Sequence, residues 1–323
     1  MIEFDDFSKL AMGGTEIIKH GLQNRLPQEL LSKFQIICDR IITIDDTKIR
    51  LFWAHNTFNQ VDYTHLKDDG WKKFHKMIFI SHHQMEEFVR EYHIPYSHCV
   101  IMKHALEPVK SQKKPTNKIF LIYTSIPHRG LDILVNVFEK LCEEYDNIEL
   151  KVHSSYEIYG LKDNQLKYEK MHLYQRLEEH PNIKNIGYVS NDELKKSLAS
   201  SHIFSYPSTY RETFCLALLE AMSAGLLCVH PNYACLPETA SNWTMMYDYH
   251  ENKEVHEEIF YEHLKKAIDS VNDKKVQRKL KYQSKYVNHF YNWETRTQEW
   301  IDLLKSLEHL SPRIKQQATF SYS

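Results

Sequence analysis

Two glutamates in the segment 205–230 combine residue type and spacing in a way that suits ligand chemistry. The segment reads SYPSTYRETFCLALLEAMSAGLLCVH, with Glu212 in a polar stretch and Glu220 inside a run of helix-forming residues. Because eight residues are slightly more than two helical turns, the two carboxylates would lie near one face. Carboxylates placed in this way can accept hydrogen bonds from sugar hydroxyls. Alternatively, Glu212 is a first-turn acid favoured by the helix dipole and Glu220 is a surface residue.

The start of the same helix offers a second kind of chemistry, which is anion binding. The backbone amides of Phe214, Cys215 and Leu216 would have no intrahelical acceptor, so they would point out of the helix toward a ligand. An acid beside such an anion site fits a ligand that carries both phosphates and hydroxyls. If these groups bind a ligand, a phosphorylated carbohydrate would suit them, whereas their spacing alone is also explained by the structural alternative.

The elements around these residues predict a strand–helix–strand unit. Residues 203–206 form a short apolar run, which Pro207 ends with turn chemistry. Gly225 stands where a glycine commonly follows the last turn of a helix, and residues 226–229 form another buried strand. Glu212 would then lie in the loop at the carboxyl end of the first strand of a parallel pair.

The run RETFCLALLEAMSAG followed by LLCV resembles the E-x7-E segment of the retaining GT-B glycosyltransferases of family 4. In that family the run is close to E-x-F-G-L-x-x-x-E-A-M-A-x-G followed by a strand, so both glutamates, the EAM triplet and the closing glycine coincide. The resemblance implies an α/β fold of the GT-B type, with two Rossmann-like parallel-sheet domains facing across a cleft. It also implies a C-terminal helix that crosses back to the first domain.

Two motifs in the first third of the chain are similar to this family. Gly13 and Gly14 precede a helix and resemble the family's glycine pair, which approaches the donor, although a plain turn would also explain them. His55 follows the apolar strand LFWA, at the strand end where open α/β sheets bind ligands. Its context W-A-H-N-T resembles W-x-H-D, whose histidine faces the reacting sugar, and makes Asn56 a weaker candidate. The alternative for His55 is a structural histidine.

The loop TSIPHRG, residues 124–130, resembles the family's donor-phosphate loop. That loop normally carries an arginine and, several residues later, a lysine before glycine. Arg129 occupies the lysine position, while Thr124 or Ser125 stands where the arginine would be. One of the two phosphate cations is therefore missing, unless His128 or another residue supplies it.

Further along the chain, Tyr188 and Val189 lie in a turn that resembles the G-x-V turn whose backbone receives the nucleotide base. Glu238 follows Pro237 and resembles an acid near the sugar, which makes it a weaker candidate. The resemblance implies His55, Glu212 and Arg129 as catalytic residues. It implies a donor-binding set of Gly13, Gly14, Thr124, Ser125, Arg129, Tyr188, Val189, Glu212, Thr213, Phe214, Cys215, Leu216 and Glu220.

These residues lead to the expectation of a retaining hexosyltransferase. It would move a sugar from a UDP- or GDP-linked donor to a hydroxyl of a glycan or glycoconjugate, with no metal required. Glu220 would hold the ribose, Glu212 would orient the sugar, and Arg129 with the helix amides would stabilise the departing diphosphate. Two alternatives stay open: a nucleotide-sugar-binding protein without transferase activity, and a GT-B-type epimerase or hydrolase.

Length and composition limit the remaining classes. The 323 residues suit two domains, and 41 Lys and Arg against 43 Asp and Glu give a net charge of −2, which argues against a nucleic-acid partner. No apolar run approaches the roughly 20 residues of a transmembrane helix. Six scattered cysteines are typical of reduced thiols, so we expect a cytoplasmic protein.

Changes in composition along the chain predict its domains. We expect a short acceptor-side domain at 1–107, a linker at 108–118 and a nucleotide-sugar-binding domain at 119–285. A helix over 286–310 would pack back on the first domain, and a loose tail would follow at 311–323. The linker, PVKSQKKPTNK, is polar and lysine-rich. Its lysines are interpreted as those of a solvated connector, although they could contact phosphate.

Overall fold

The computed structural model describes residue 2 and residues 14–155 and 171–314, which form two compact units. The first unit takes residues 15–103 together with 294–314. The second takes residues 104–155 and 171–293 together with Gly14. Each unit is built on a parallel sheet with helices between its strands, which confirms the two-sheet α/β class expected from the sequence.

The first unit contains a four-stranded parallel sheet in the order β1-β2-β3-β4. The strands are β1 (Phe34–Cys38), β2 (Ile49–Trp53), β3 (Lys76–Phe79) and β4 (Cys99–Ile101), and the helices between or before them are α1 (Gly14–Gln23), α2 (Gln28–Ser32) and α3 (His82–Tyr92). Every residue of β1 and β2 is buried, including Gln35 and Arg50, as is typical of strands in a parallel sheet with helices on its faces. The sequence predicts Ser81 as a helix N-cap because serine is common there, and its side chain does accept a hydrogen bond from the Gln84 amide at the start of α3.

The second unit contains a six-stranded parallel sheet in the order β10-β9-β8-β5-β6-β7. Its strands are β5 (Ile119–Thr124), β6 (Ile148–His153), β7 (Ile183–Asn185), β8 (Ile203–Ser205), β9 (Leu227–Pro231) and β10 (Met245–Tyr247). The chain builds the sheet outward from β5 through β6 and β7, and then returns to place β8 on the other side of β5. Such a reversal of strand order creates a crevice outside the carboxyl ends of the two central strands, where ligands bind in open α/β sheets.

The helices of the second unit follow the strands in turn. They are α4 (Leu131–Cys142), α5 (Met171–Glu179), α6 (Asn191–Ala199), α7 (Leu216–Ser223), α8 (Leu236–Ala240), α9 (Lys253–Ser270) and α10 (Lys274–Phe290). A last helix, α11 (Trp293–Leu307), belongs with the first unit from Glu294 onward. Within it, Trp300 packs edge-on against Trp53 of β2, with ring centroids 4.8 Å apart. No helix in the described ranges combines the length and apolar character that a membrane crossing requires.

Two helix boundaries differ from the sequence prediction. From the sequence, Asn191 or Asp192 is the expected cap of α6, because these residue types are common caps. The cap is instead Ser190, because its hydroxyl accepts from the Glu193 amide while the Glu193 carboxylate accepts from Ser190. Helix α7 begins only at Leu216, because Cys215 is still extended, with φ −93° and ψ 91°.

The segment 286–310, predicted as one helix, instead contains the end of α10 followed by α11. The side-chain amide of Asn292 donates to the carbonyls of His289, at 2.7 Å, and Asn288, at 3.2 Å. These bonds satisfy carbonyls that a continuing helix would have used, so α10 ends there and a new helix begins at Trp293.

Candidate functional site

The loops after β5 and β8 pack directly against each other at the switch in strand order. Their contact depends on Gly130, whose φ is +95° and whose position leaves no room for a side chain. A Cβ atom there would lie 2.0 Å from the carbonyl oxygen of Pro207. Only glycine combines this backbone conformation with such a close approach. The two loops that carry the predicted phosphate and sugar residues are thus held together by backbone packing.

Arg129 and Glu212 form an ion pair across these two loops. Nη1 of Arg129 lies 2.8 Å from Oε1 of Glu212, although the two residues are 83 positions apart in the chain. The Tyr206 hydroxyl donates to the same oxygen at 2.5 Å. Burial, and then the nearby Glu212 carboxylate, raise the pKa of Tyr206 well above its usual value, so this phenol stays protonated and donates. The Glu212 side chain is only 6% exposed, and its second oxygen makes no hydrogen bond to the described residues.

The ring of Tyr210 supports the cationic side of this pair. The Arg129 guanidinium lies over that ring, 4.1 Å from its centre, in a geometry typical of cation–π contacts. His128 is exposed, and its ring centroid lies 6.1 Å from that of Tyr210. The two basic side chains of the predicted phosphate loop therefore gather around one aromatic residue at the carboxyl edge of the sheet.

The start of α7 lies next to this pair along the chain. Phe214 is buried, and its ring packs edge-on against His104, with centroids 4.9 Å apart. Cys215 occupies the N-cap position, and burial raises the pKa of its thiol well above the usual range. The thiol is therefore neutral, so no thiolate charge offsets the positive end of the helix dipole at the first-turn amides.

Gly14 and Thr213 are two further predicted donor residues near this helix start. Gly14 is grouped with the second unit, and a Cβ atom built on it would lie 2.8 Å from Cδ1 of Leu216. Thr213 is half-buried and directly precedes the buried Phe214. Gly13, the other member of the predicted glycine pair, lies outside the described residues.

Glu220 lies one turn into α7, half-buried and without a hydrogen bond or ion pair to any described residue. Burial raises its pKa from 4.5 to about 7, and Lys195 opposes this shift only in part. A carboxyl group that is desolvated but has no partner favours a ligand that donates hydrogen bonds to it. This environment is consistent with the predicted ribose-binding role, which stays a prediction.

Four buried polar atoms at the carboxyl ends of β5, β6 and β8 have no hydrogen-bond partner among the described residues. They are Oγ1 of Thr124, Nδ1 of His153, Oγ of Ser154 and Oγ of Ser205. Thr124 and His153 are direct neighbours across the β5–β6 pair. Because buried polar groups are nearly always satisfied, such a concentration at the edge of a sheet points to a polar ligand or ordered water.

His153, Ser154 and Ser205 were not predicted from the sequence. Nε2 of His153 lies 2.8 Å from the Ser197 hydroxyl, and burial lowers the His153 pKa to about 4, so the imidazole is neutral near pH 7. The sequence signal for these three residues was their position, since each of them ends or follows a strand. Without the strand order, however, nothing showed that these ends are adjacent.

Two further predicted residues lie along the same edge. Tyr188 follows β7 and is 47% exposed, and it stands between Gly187, with φ +69°, and the half-buried Val189. Glu238 lies in the first turn of α8, after β9, and is half-buried. Helix α8 is tied to the central loop, because the Cys235 amide donates to the Glu212 carbonyl at 3.3 Å.

His55 and Asn56 belong to the first unit, where they follow β2. A residue that the sequence analysis did not single out, Asp39, holds them in place. Its Oδ1 accepts from the His55 amide at 2.8 Å and from the Tyr63 hydroxyl, and its Oδ2 accepts from the Asn56 side chain at 3.2 Å. Burial raises the Asp39 pKa, whereas the Tyr63 and His55 hydrogen bonds oppose that shift. The catalytic role of His55 stays a prediction.

The second unit brings most of the predicted donor residues to one edge of one sheet. Thr124 and Ser125 open the loop after β5, Arg129 closes it, and Glu212 meets Arg129 from the loop after β8. Among the residues that the structure describes, no group of three His, Cys, Asp or Glu side chains is arranged to hold a metal ion.

Residues 103–287 match the sequence profile of the family described as Glycosyl transferases group 1. The match covers more than half of the chain, which therefore belongs to this family.

Among curated proteins, the chain is similar to one of the subunits of phosphatidylinositol N-acetylglucosaminyltransferase, in two organisms. It is 30% identical to the Arabidopsis thaliana protein over 120 residues, which are 37% of this chain and 25% of that protein. It is 23% identical to the Homo sapiens protein over 143 residues, which are 43% of this chain and 28% of that protein. The similarity thus spans little more than a quarter of the length of these relatives.

Solved structures resemble nearly the whole chain. A glycosyltransferase from Rickettsia africae has a TM-score of 0.67 at 13% identity, covering 91% of this chain and 82% of that one. Anabaena HepE in complex with UDP-glucose has a TM-score of 0.64 at 13% identity, covering 87% and 81%. Sucrose-phosphate synthase from Thermosynechococcus elongatus has a TM-score of 0.64 at 13% identity, covering 91% and 78%. These similarities confirm the GT-B fold class.

Proposed function

We propose that this protein is a retaining glycosyltransferase that transfers a sugar from a nucleoside diphosphate sugar to an acceptor hydroxyl. The observation that carries the proposal is the Arg129–Glu212 pair at the switch in strand order, 2.8 Å between Nη1 and Oε1. A guanidinium and a carboxylate at the strand ends where such sheets bind nucleotides support a ligand that carries phosphates and sugar hydroxyls. The Thr124 and Ser205 hydroxyls at the same strand ends have no hydrogen-bond partner among the described residues, which supports a polar ligand there.

In this reaction the bond between the anomeric carbon and the diphosphate oxygen breaks, and a bond from that carbon to the acceptor oxygen forms. The acceptor attacks on the face from which the diphosphate leaves, and the acceptor proton passes to the departing diphosphate. Arg129 and the amides at the start of α7 stabilise the growing charge on the leaving group, so we propose that no metal is required. Glu212 orients the sugar through its unused oxygen, and Glu220 accepts from the ribose.

For the substrates, we propose a UDP-linked donor with UDP-N-acetylglucosamine first, and phosphatidylinositol as the first acceptor to assay. The names of the curated relatives support this sugar and acceptor, and the HepE complex with UDP-glucose supports the uridine nucleotide. The exposed Tyr188 ring after β7 is available to the base. We further propose a cytoplasmic location, because all six cysteines are free and four of them are buried.

The test begins with binding and continues to turnover. Calorimetry with UDP, GDP and ADP should show UDP binding to the whole chain, and radiolabelled UDP-N-acetylglucosamine with phosphatidylinositol in mixed micelles should give labelled lipid. Glu212→Gln should lower kcat by about 100-fold or more, because it removes a group aligned with the reacting sugar. Glu258→Gln, an exposed glutamate on α9, is the matched control and should retain activity.

The anomeric configuration of the product tests the stereochemistry. An α-linked product from the α-linked donor, identified by the anomeric proton coupling, is the expected outcome, whereas a β-linked product would contradict retention. UDP binding without transfer to lipid, glycan or water would instead support the binding-protein alternative. If no nucleotide binds at about 1 mM, which is weak even for a small ligand, the proposed function is wrong.

A further inference from the structure

The second unit has a cavity of about 1020 Å³ at the edge of the six-stranded sheet opposite to the candidate donor site. Its wall includes residues 111–116, which lead into β5, together with His202 before β8 and Gly225 before β9. Since all six strands are parallel, these positions share the amino edge of the sheet, whereas Thr124 and Ser205 end strands at the carboxyl edge. The cavity is therefore a separate place from the proposed donor site.

The charged side chains known to line this cavity are all positive. Among the described residues, five cationic side chains line it and no aspartate or glutamate does; the five are Lys113, Lys114, Arg278, Lys281 and Lys285. No carboxylate of the described residues lies within ion-pair distance of any of them. In a chain whose net charge is −2, such a group does not follow from composition. The cavity therefore concentrates positive charge that the described part of the protein leaves without counter-ions.

Helix α10 presents three of these cations on one face. Arg278, Lys281 and Lys285 are spaced by three and four residues, so they neighbour one another along the helix surface and repel. The Tyr282 ring lies between two of them, 5.9 Å from the Arg278 guanidinium and 6.0 Å from the Lys285 amine. A bound polyanion would remove this repulsion.

The wall that carries these cations is anchored to the rest of the unit. The Gln283 side chain donates to the Leu226 carbonyl at 2.9 Å, and the Ser284 hydroxyl donates to the Ser223 carbonyl at 2.6 Å. Both bonds attach α10 to the end of α7. Because the charges sit on a fixed helix face, less ordering is needed when a ligand binds.

Lys114 provides the opposite wall. Its amine donates to the Gly225 carbonyl at 3.0 Å, and burial lowers its pKa to about 8. His202 contacts both β5 and the segment before it, since Nε2 lies 3.0 Å from the Pro115 carbonyl and Nδ1 accepts from the Phe120 amide at 3.0 Å. An anion in the cavity would stabilise the charged form of Lys114, which its buried position disfavours.

We propose that this cavity binds a ligand bearing two or more phosphate groups, at a site distinct from the nucleotide-sugar site. Five cations spread around about 1020 Å³ suit several phosphates on a compact framework better than one carboxylate. The phosphates can belong to a free small molecule or to the headgroup of a lipid, since both present the same chemistry to the lysines and the arginine.

The test uses inositol hexakisphosphate as a soluble probe and the whole chain, with binding measured by calorimetry. The triple variant Arg278→Gln, Lys281→Gln, Lys285→Gln should bind the probe at least about 10-fold more weakly, since three phosphate contacts are lost. The matched control, Lys274→Gln, Lys275→Gln, Lys279→Gln, removes the same charge from exposed positions of the same helix that do not line the cavity. It should change the affinity for the probe less than about 3-fold, because it alters only the long-range electrostatic potential at the cavity.

Vesicles distinguish the two sources of phosphate. Cosedimentation with phosphatidylcholine vesicles containing about 20 mol% phosphatidylinositol 4-phosphate, competed by the soluble probe, would assign the site to a lipid headgroup. Probe binding without cosedimentation would assign it to a free polyphosphate. Equal weakening in both triple variants, or no binding of the probe to the wild-type chain at about 1 mM, would overturn the proposal. UDP affinity should be unchanged in both triple variants, so failure here leaves the proposed glycosyl transfer intact.

Discussion

Nucleotide binding should release a proton from Glu220, and this can be measured. The carboxyl group is half-buried, has no hydrogen-bond partner among the described residues and has a pKa raised by burial to about 7. In the proposed complex the ribose hydroxyls donate to the ionised carboxylate. Because that stabilises the charged form, binding must lower the Glu220 pKa and thus be linked to proton release.

The size of the effect follows from the two pKa values. If the ribose restores the ordinary value of 4.5, UDP affinity rises about 10-fold per pH unit below pH 7 and then levels off. Between about pH 5.5 and about pH 8 the total gain is about 30-fold, and about 0.9 proton is released at about pH 6. Since the phosphates of UDP titrate in this range too, the informative quantity is the difference between the wild type and Glu220→Gln.

Calorimetry of UDP binding in two buffers with different ionisation enthalpies gives both the affinity and the proton count. Glu220→Gln should lose the additional pH dependence and the additional proton, while Glu258→Gln should keep both. The raised pKa also makes ionised Glu220 unfavourable to folding, so the stability of the wild type relative to Glu220→Gln should fall from about pH 4.5 to about pH 7 and then stay constant. If Glu220→Gln released as many protons as the wild type, the reasoning about this carboxylate would be refuted.

Two further predictions concern the packing that supports the site. Gly130→Ala should lower the free energy of unfolding by about 3 kcal/mol or more, because the strained φ and the clash with Pro207 both destabilise the variant. The control Gly187→Ala has a similar φ but open space around it, so it should lower the free energy of unfolding by only about 1 kcal/mol. Thermal melts that show equal losses for the two variants would contradict this account. Asp39→Ala should lower the free energy of unfolding, measured in urea, by about 2–4 kcal/mol, because buried donors lose their acceptor. The control Asp69→Ala removes an exposed ion pair at a residue with a similar positive φ, so it should cost about 1 kcal/mol. Similar urea midpoints for the two variants would contradict this prediction.

The sequence predicted the central strand–helix–strand unit because its signals are local. Apolar runs gave β8 and β9 to within two residues at either end, and Gly225, with φ +72°, marks the end of α7 as expected. The loop that carries Glu212 could be placed at a strand end from these signals alone. The sequence also placed Glu220 correctly inside α7, because helix-forming residues surround it.

The partners of these residues could not be predicted in the same way. Arg129 and Glu212 meet because β8 adds to the sheet beside β5, and a single sequence does not specify strand order. The same holds for Thr124, His153 and Ser205, whose buried polar atoms become neighbours only when the strand ends are aligned. Residue type identified which side chains could do chemistry, but only the sheet topology identified which of them act together.

The lysine-rich segment 108–118 shows how this limit affects function. From the sequence alone, its lysines are those of a solvated connector, and that interpretation uses only the residues of the segment itself. In the fold, Val109 is buried and its amide donates to the Ser223 hydroxyl at 2.9 Å, so the segment is packed into the second unit. Lys113 and Lys114 consequently face the cations of α10, which lie more than 160 residues further along the chain. A charge pattern that is ordinary in each segment becomes a candidate polyphosphate site when the two segments share one cavity.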